Sequence, residues 1–211
     1  MAVTAKIAII GCGPGARECL TMEALAAAQR AEVLIGTARL FPLFPDLKAE
    51  CIRVGSYSQE TIEAIRRSSG KRIAVLVTGD PGLASLASVV IAHFGAEACQ
   101  VLPGISSVQV AFARLGLSWE GARILSAHAS APEIDFSNFS SERTIAVLAG
   151  NAESLAWIAA LAHALTGDWR IVVAQDLTLS SERIFEVSAE ELQQLPQPLR
   201  AVIVFCRKSQ R

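Results

Sequence analysis

The sequence predicts an α/β protein of two α/β domains, the first with a mainly parallel sheet and the second with a mixed sheet. Three observations support this prediction. Short β-branched runs alternate with helical stretches, the alternation begins again after Gly116, and 211 residues exceed one minimal domain. A composition that is 52% hydrophobic and 18% charged supplies enough apolar surface for two ordered cores.

The first domain, predicted over residues 1–117, begins with alternating strands and helices. Strands are predicted over residues 7–10, 33–35, 51–54, 72–77 and 100–102. Helices are predicted over residues 22–30, 59–68, 84–93 and 107–115. Ser58 is expected to cap the second helix, and Gly95 and Gly116 to end the last two. Regular alternation of this kind indicates a parallel sheet covered by helices.

The second domain, predicted over residues 118–211, contains fewer helices for the same number of strands. Its strands are predicted over residues 123–126, 144–149, 170–174, 183–187 and 201–205. Residues 154–165 form an apolar helix, residues 189–195 a short one, and the polar stretch 130–141 a surface loop. Because only a short helix lies between the last two strands, a mixed sheet is expected.

The charge pattern and the cysteines exclude several classes of function. The 19 basic and 20 acidic residues are spread along the chain, which argues against a nucleic-acid partner. The helix over residues 154–165 is shorter than the roughly 20 residues of a membrane span, so no membrane partner is expected. Residues 1–6 lead into the first strand without an export signal, which predicts a cytoplasmic location. Five scattered cysteines predict reduced thiols and no metal site, although a reactive Cys12 stays open.

A glycine-rich loop, Gly11-Cys12-Gly13-Pro14-Gly15, follows the first strand. Glycines allow main-chain N–H groups to approach a ligand closely, although a plain turn has the same composition. The loop also satisfies a relaxed dinucleotide fingerprint, which requires an acidic residue after the second strand. Glu32 precedes that strand, and Gly15 and Arg17 delay the next helix, so the dinucleotide interpretation fits poorly.

Two further loops follow strands at the same expected sheet edge. The first is Thr78-Gly79-Asp80-Pro81-Gly82, in which Asp80 could bind a ribose or an amine, or cap the next helix. The second is the stretch of residues 102–109, where Ser106 and Ser107 could bind a ligand or cap a helix. Ligands of open parallel sheets collect at the carboxyl ends of strands, so these loops could surround one pocket.

In this order, the three loops G-x-G-P-G, T-G-D-P and P-G-I-S-S resemble the tetrapyrrole (corrin/porphyrin) methylase family. Within the family, residues 33–44 and 104–116 are most similar to the cobalt-precorrin-7 C(5)-methyltransferases, equivalently the methylase half of the precorrin-6Y C(5,15)-methyltransferases. Similarity continues at residues 126–128 and 176–184 and so covers nearly the whole chain.

The resemblance implies a transferase that binds S-adenosylmethionine in a trough between two α/β domains, with two chains per assembly. The family's cofactor contacts, mostly made by the main chain, fall on Gly13, Pro14, Gly79, Asp80, Leu83, Ser106, Ser107 and Leu148. The methyl step requires no metal. Two departures are visible: Ala16 replaces an acidic residue of many relatives, and His128-Ala129-Ser130 replaces their H-G-R.

The implied substrate is a corrinoid precursor in cobalamin biosynthesis, which carries many carboxylates. Arg39 is the first candidate to bind them, with Arg17 and Arg114 behind it. His128 is a candidate for substrate binding and for general acid/base catalysis, or is a structural histidine. A separate decarboxylating C(15)-methyltransferase is a further implied partner. The alternatives are methylation at another ring position, a nucleotide-dependent oxidoreductase using the Gly11 loop, and a non-catalytic binding module.

Overall fold

The computed structural model describes residues 7–55, 58–128, 130–139, 141–196 and 200–208. The prediction that residues 1–6 carry no export signal lies outside these ranges. Ala129, just before the predicted surface loop, and Ser140, near its end, also lie outside them. Within that loop, residues Phe136–Phe139 form a short 3₁₀ helix.

Spatial contacts divide the chain into two units, Met1–Ser106 and Ser107–Arg211. The helix Ser107–Leu115 thus belongs to the second unit, whereas the sequence prediction assigned it to the first. The predicted domain limits, 1–117 and 118–211, stay a prediction about folding domains.

The sheet of the first unit is wholly parallel. Its strands are β1 (Ile7–Gly11), β2 (Val33–Gly36), β3 (Glu50–Arg53), β4 (Ile73–Val77) and β5 (Cys99–Leu102). They lie in the order β3-β2-β4-β1-β5, with Ile9 in register with Val75 on one side and Val101 on the other. Every residue of β2 and β4 is buried, as expected for strands covered on both faces.

The helices of the first unit cover both faces of this sheet. They are α1 (Met22–Arg30), α2 (Ser58–Arg67) and α3 (Ala87–Phe94). Ala24 and Ala28 of α1 pack with Ile10 on one face. Ile65 of α2 and Val90 of α3 pack on the other face. Hydrophobic burial on both faces therefore fixes the sheet between two helical layers.

The limits of α2 and α3 differ from the prediction. Helix α3 begins at Ala87 and not at residue 84, because Ala84 adopts a left-handed conformation with φ 47°. The Ser85 hydroxyl, which donates to Pro81 O at 2.6 Å and accepts from Ala87 N at 3.1 Å, holds the loop before the helix. Ser58 is the first residue of α2. Gly95 ends α3 as predicted, with φ 87°.

The connections around β1 and β4 run in opposite directions. From β1 the chain crosses β4 to reach β2, and from β4 it crosses β1 to reach β5. A right-handed crossover places these two connections on opposite faces of the sheet. Neighbouring strands of this kind leave a crevice at their carboxyl ends, where open α/β sheets bind ligands.

The second unit contains a mixed sheet, as predicted. Its helices are α4 (Ser107–Leu115), α5 (Ala152–Ala164) and α6 (Ala189–Leu192), and its strands are β6 (Arg123–Ser126), β7 (Thr144–Ala149), β8 (Trp169–Gln175), β9 (Arg183–Val187) and β10 (Ala201–Arg207). The strand order is β6-β7-β10-β8-β9, and only β6 and β7 are parallel.

Strand β10 is the centre of the second unit. It pairs with β7 through Ile203–Val147 and with β8 through Ile203–Val173. Ile203 and Phe205 are fully buried in the core that α5 covers. Helix α5 begins with a capping box in which Asn151 and Ser154 satisfy each other's main-chain N–H groups. Across the described ranges, no helix has the length and apolar character needed to cross a membrane.

Candidate functional site

Three loops meet at the carboxyl ends of β1, β4 and β5. We name them the first loop (residues 11–15), the second loop (residues 78–82) and the third loop (residues 103–106). Gly79 N donates to Gly13 O at 2.8 Å, and Gly13 N donates to Gly79 O at 3.3 Å. Cys12 N also donates to Val77 O at 2.8 Å. The first and second loops are therefore joined by main-chain hydrogen bonds.

Glycine at two positions permits the third loop to approach the other two. A Cβ on Gly104 would overlap the carbonyl oxygen of Gly79 and lie 2.7 Å from the carbonyl carbon of Gly11. A Cβ on Gly11 would lie 2.5 Å from Gly104 N and 2.8 Å from Pro81 Cδ. No side chain fits at either position without displacing main-chain atoms. The convergence of the loops thus depends on the missing side chains.

Asp80 connects the second and third loops. Its Oδ1 accepts a hydrogen bond from Gly82 N at 2.8 Å, and its Oδ2 accepts one from Gly104 N at 3.0 Å. The suggestion that Asp80 caps the following helix is wrong, because Leu86 occupies the N-cap of α3 and makes no side-chain cap. Sequence reasoning missed both bonds: an Asp-Pro-Gly pattern is typical of the local bond to Gly82, but no sequence signal indicates Gly104, 24 residues away.

The first unit brings together six of the eight predicted cofactor contacts. Gly13 and Gly79 are bonded to each other, Leu83 N donates to Asp80 O at 3.1 Å, and the buried Ser106 lies beside Gly79. Pro14 follows Gly13 in the first loop. The other two positions belong to the second unit: Ser107 begins α4, and Leu148 lies in β7 in register with Val202. All eight assignments as ligand contacts stay predictions.

Arg39 lies on the loop that follows β2 and reaches the second loop. Its Nη2 donates to the Thr78 hydroxyl at 2.6 Å. The side chain is thus at the same sheet edge as the three loops, which is where the prediction requires it. Its role toward a substrate stays a prediction.

The other two candidate arginines bind carboxylates of the chain itself. Arg17 lies 3.7 Å from Asp46 at the surface. Arg114 donates to both carboxylate oxygens of Glu182, at 2.7 and 3.5 Å. The Arg114 guanidinium, together with the Thr178 amide, holds the pKa of Glu182 below its ordinary value. The Arg114 charge is thus matched by a carboxylate within the second unit.

His128 lies in the second unit, at the carboxyl end of β6. The ring is placed against Gly150, which follows β7; a Cβ on Gly150 would overlap His128 Nδ1 and lie 2.8 Å from His128 O. Gly150 N in turn donates to the Ser154 hydroxyl at 3.1 Å, at the start of α5. His128 is exposed to solvent and is therefore accessible to a ligand at this end of the sheet. Neither its catalytic nor its substrate-binding role is tested by this geometry.

The dinucleotide alternative receives no support from the geometry. Glu32 precedes β2, and its carboxylate accepts from Arg72 N at 2.9 Å and pairs with Arg72 Nη1 at 3.4 Å. It therefore lies away from the carboxyl end where a dinucleotide ribose binds. Among the residues that the structure describes, no group of three His, Cys, Asp or Glu side chains could hold a metal ion.

Cys12 lies in the first loop but is fully buried, and its Sγ donates to Ile10 O at 3.5 Å. Burial raises the pKa of its thiol to about 12, while the amide of residue 77 and the charge of Arg39 lower it less. Only about one thiol in ten thousand is then ionised at pH 8, and the thiolate is the reactive form.

We therefore expect iodoacetamide at pH 8 to modify the exposed Cys51 and to leave Cys12 unmodified. Peptide mass spectrometry of the folded chain, before and after addition of denaturant, measures both sites. Complete modification of Cys12 without denaturant would favour a reactive role for it.

Comparisons with known proteins show similarity over most of the chain. The sequence matches the family model of the Tetrapyrrole (Corrin/Porphyrin) Methylases over residues 6–193. A cobalt-precorrin-7 C(5)-methyltransferase of Salmonella typhimurium is 28% identical over 182 residues, which are 84% of this chain and 88% of that protein.

Solved structures resemble both units. The precorrin-6Y methylase of Archaeoglobus fulgidus has a TM-score of 0.72 and 26% identity, over 96% of this chain and 98% of its own. A uroporphyrin-III C-methyl transferase of Thermus thermophilus, solved with S-adenyl homocysteine, has a TM-score of 0.75. It is 20% identical over 95% of this chain and 92% of its own, which is a likeness of fold alone.

Proposed function

We propose that this chain, which belongs to the tetrapyrrole (corrin/porphyrin) methylases, transfers a methyl group from S-adenosylmethionine to a precorrin or cobalt-precorrin in cobalamin biosynthesis. The proposed position is carbon 5, as named for the Salmonella typhimurium relative. The observation that carries the proposal is the convergence of three main-chain-rich loops at one sheet edge.

The first unit fits the proposed methyl donor. The glycines of the converging loops leave main-chain groups uncovered, so that a ligand can be bound without long side chains filling the space. We propose that Gly13, Pro14, Gly79, Asp80, Leu83 and Ser106 hold it, and Ser107 and Leu148 are proposed contacts as well. When bound, the sulfonium of the donor supplies an already activated methyl group.

The protein's task in this reaction is alignment. The loops are bonded to one another, so donor and acceptor are held by groups that need little rearrangement on binding. Correct orientation of two reactants and exclusion of water can contribute about 7–11 kcal/mol to lowering a barrier. This contribution requires neither a covalent intermediate nor a metal ion from the protein.

Arg39 is the proposed carboxylate-binding residue for the ring substrate. Arg39→Ala is expected to raise KM for the ring by about tenfold, the effect of losing one charge-assisted hydrogen bond. The Kd for S-adenosylhomocysteine is expected to stay within about twofold, because the main-chain and Asp80 hydrogen bonds that join the three loops do not involve the Arg39 side chain. Steady-state kinetics and calorimetry measure the two quantities.

Arg67→Ala, on the exposed side of α2, is the matched control and should change neither quantity. An Arg39→Ala enzyme with an unchanged KM for the ring would refute the assignment of Arg39.

His128 is the proposed general acid/base, with a modest contribution to the rate, since the conjugated ring carbon is itself electron-rich. The His128→Ala enzyme is expected to show a lower kcat with an unchanged Kd for S-adenosylhomocysteine. Unchanged turnover would remove His128 from the mechanism and leave it a structural residue beside Gly150.

Two experiments test the function itself. Calorimetry with S-adenosylmethionine, S-adenosylhomocysteine and NAD is expected to show binding of the first two alone, whereas binding of NAD alone would favour an oxidoreductase. Mass spectrometry and NMR of the product from a pool of ring intermediates then identify substrate and carbon. Methylation elsewhere on the ring would retain the family and overturn carbon 5; absence of turnover despite donor binding would favour a binding module.

The family resemblance supports two proposals about assembly and location. We propose a cytoplasmic homodimer, which analytical ultracentrifugation and cell fractionation test. A separate decarboxylating C(15)-methyltransferase is the proposed partner in the pathway. We expect its substrate or its product to be the same compound as the substrate or product that the analysis identifies for this chain.

A further inference from the structure

We propose that Asp80 is a positioning residue that orders the second and third loops before any ligand binds. The family resemblance assigns Asp80 to contact with the methyl donor. In this chain both of its carboxylate oxygens accept main-chain hydrogen bonds, from Gly82 N at 2.8 Å and from Gly104 N at 3.0 Å. The side chain thus makes one hydrogen bond within the second loop and one that links the second loop to the third.

An ionised carboxylate is the group that this arrangement requires. Both partners are N–H donors, and an aspartate offers two acceptor oxygens and no donor. Asparagine keeps one acceptor oxygen but places an NH₂ group where the second is needed, so it can satisfy only one of the two amides. Hydrogen bonds from amides to a charged carboxylate are also stronger than those between neutral groups.

The hydrogen bond from Gly104 to Asp80 affects all three loops, because Gly104 also contacts the first and second loops. The same residue packs against the main chain of Gly11 and Gly79 so closely that neither it nor Gly11 has room for a Cβ. A shift of Gly104 therefore alters its packing against both other loops. The Asp80 side chain acts through this glycine on the geometry of the whole convergence, so its effect on a ligand is indirect, and the donor contact proposed for residue 80 is left to its main chain.

The ligand-free chain provides the first test. In ¹⁵N-labelled full-length protein, Asp80→Ala is expected to speed hydrogen exchange of the Gly104 amide by about tenfold or more, since its carboxylate partner is removed. The Gly104 and Gly82 amide protons are both expected to move upfield. Asp80→Asn should release one of the two amides and keep the other.

Asp135→Asn is the matched control. Asp135 accepts from Ser137 N at 2.9 Å in the same residue-to-residue-plus-two pattern, but in an exposed loop of the second unit. Its substitution should leave Gly82 and Gly104 unchanged. Unchanged Gly104 exchange and shift in both Asp80 variants would overturn the proposal. If Asp80→Ala fails to fold, Asp80→Asn decides it: a change at neither the Gly82 nor the Gly104 amide would overturn the proposal.

A second test rests on the proposed function. Asp80→Ala is expected to raise KM for S-adenosylmethionine and Kd for S-adenosylhomocysteine by about tenfold, while kcat at saturating donor stays within about twofold. This separation is not expected from a general loss of folded protein. Weaker binding with an unaltered Gly104 amide would indicate direct ligand contact and contradict positioning. If the wild type binds neither compound, the proposed function fails, and the amide measurements still decide the role of Asp80.

Discussion

We expect the Gly104→Ala variant to lose detectable binding of S-adenosylhomocysteine. The added Cβ would overlap Gly79 O and lie within 2.8 Å of both main-chain carbons of Gly11. These neighbours are main-chain atoms at the end of β1 and in the loop after β4, and they cannot turn away as a flexible side chain would. The third loop must therefore move, which separates it from Asp80 and from the first loop. Overpacking of this kind costs about 1–3 kcal/mol of folding free energy.

Gly121→Ala provides the control for this experiment. Gly121 has φ +70° and no atom within 4 Å of the position that an alanine methyl would take, so alanine there meets only backbone strain. That strain costs about 1–2 kcal/mol without altering the site. Calorimetric titration and chemical denaturation of both variants separate loss of the site from loss of stability. Donor affinity equal to that of the wild type in Gly104→Ala would contradict the proposed site.

We expect Phe205→Ala to be the most destabilising single truncation in the second unit. Phe205 is fully buried and lies on β10, which pairs with strands on both sides. Removal of its ring leaves a cavity in the core beneath α5, at a cost of about 3–5 kcal/mol. A loss of that size is a large part of the roughly 5–15 kcal/mol that is typical for a whole domain.

Chemical denaturation followed by circular dichroism measures this effect, with Met22→Ala as the control. Met22 is 83% exposed at the start of α1, so its truncation should change the free energy of unfolding by no more than about 0.5 kcal/mol. A Phe205→Ala variant as stable as the control would mean that β10 does not anchor the second core.

Much of the fold could be predicted because strand and helix patterns are local. The limits of α1, α4, β6, β7 and β9 agree with the prediction, since each is bounded by a change in hydrophobic period. The start of α3 could not be predicted in this way. It depends on the left-handed Ala84 and on the hydroxyl of Ser85, and neither residue type signals a break in a helix.

The three loops of the candidate site and their common sheet edge were predictable, but the contacts that join them were not. Glycines after strands mark each loop, but the contact between Gly11 and Gly104 follows from the strand order β4-β1-β5. That order depends on packing between distant segments, as does the bond from Gly104 to Asp80. Ion pairs such as Arg114–Glu182 are equally invisible to local patterns, because their partners are 68 residues apart.

The central place of β10 also has a consequence for synthesis of the chain. In the first sheet the strand that is synthesised last, β5, lies at an edge, so the sheet can be completed once residue 102 has left the ribosome. In the second sheet the strand that is synthesised last, β10, lies in the middle, between β7 and β8. Until then, two half-sheets expose unpaired edges that invite aggregation. A nonsense mutation before Ala201 should therefore yield a chain that is cleared by proteases or recovered in inclusion bodies.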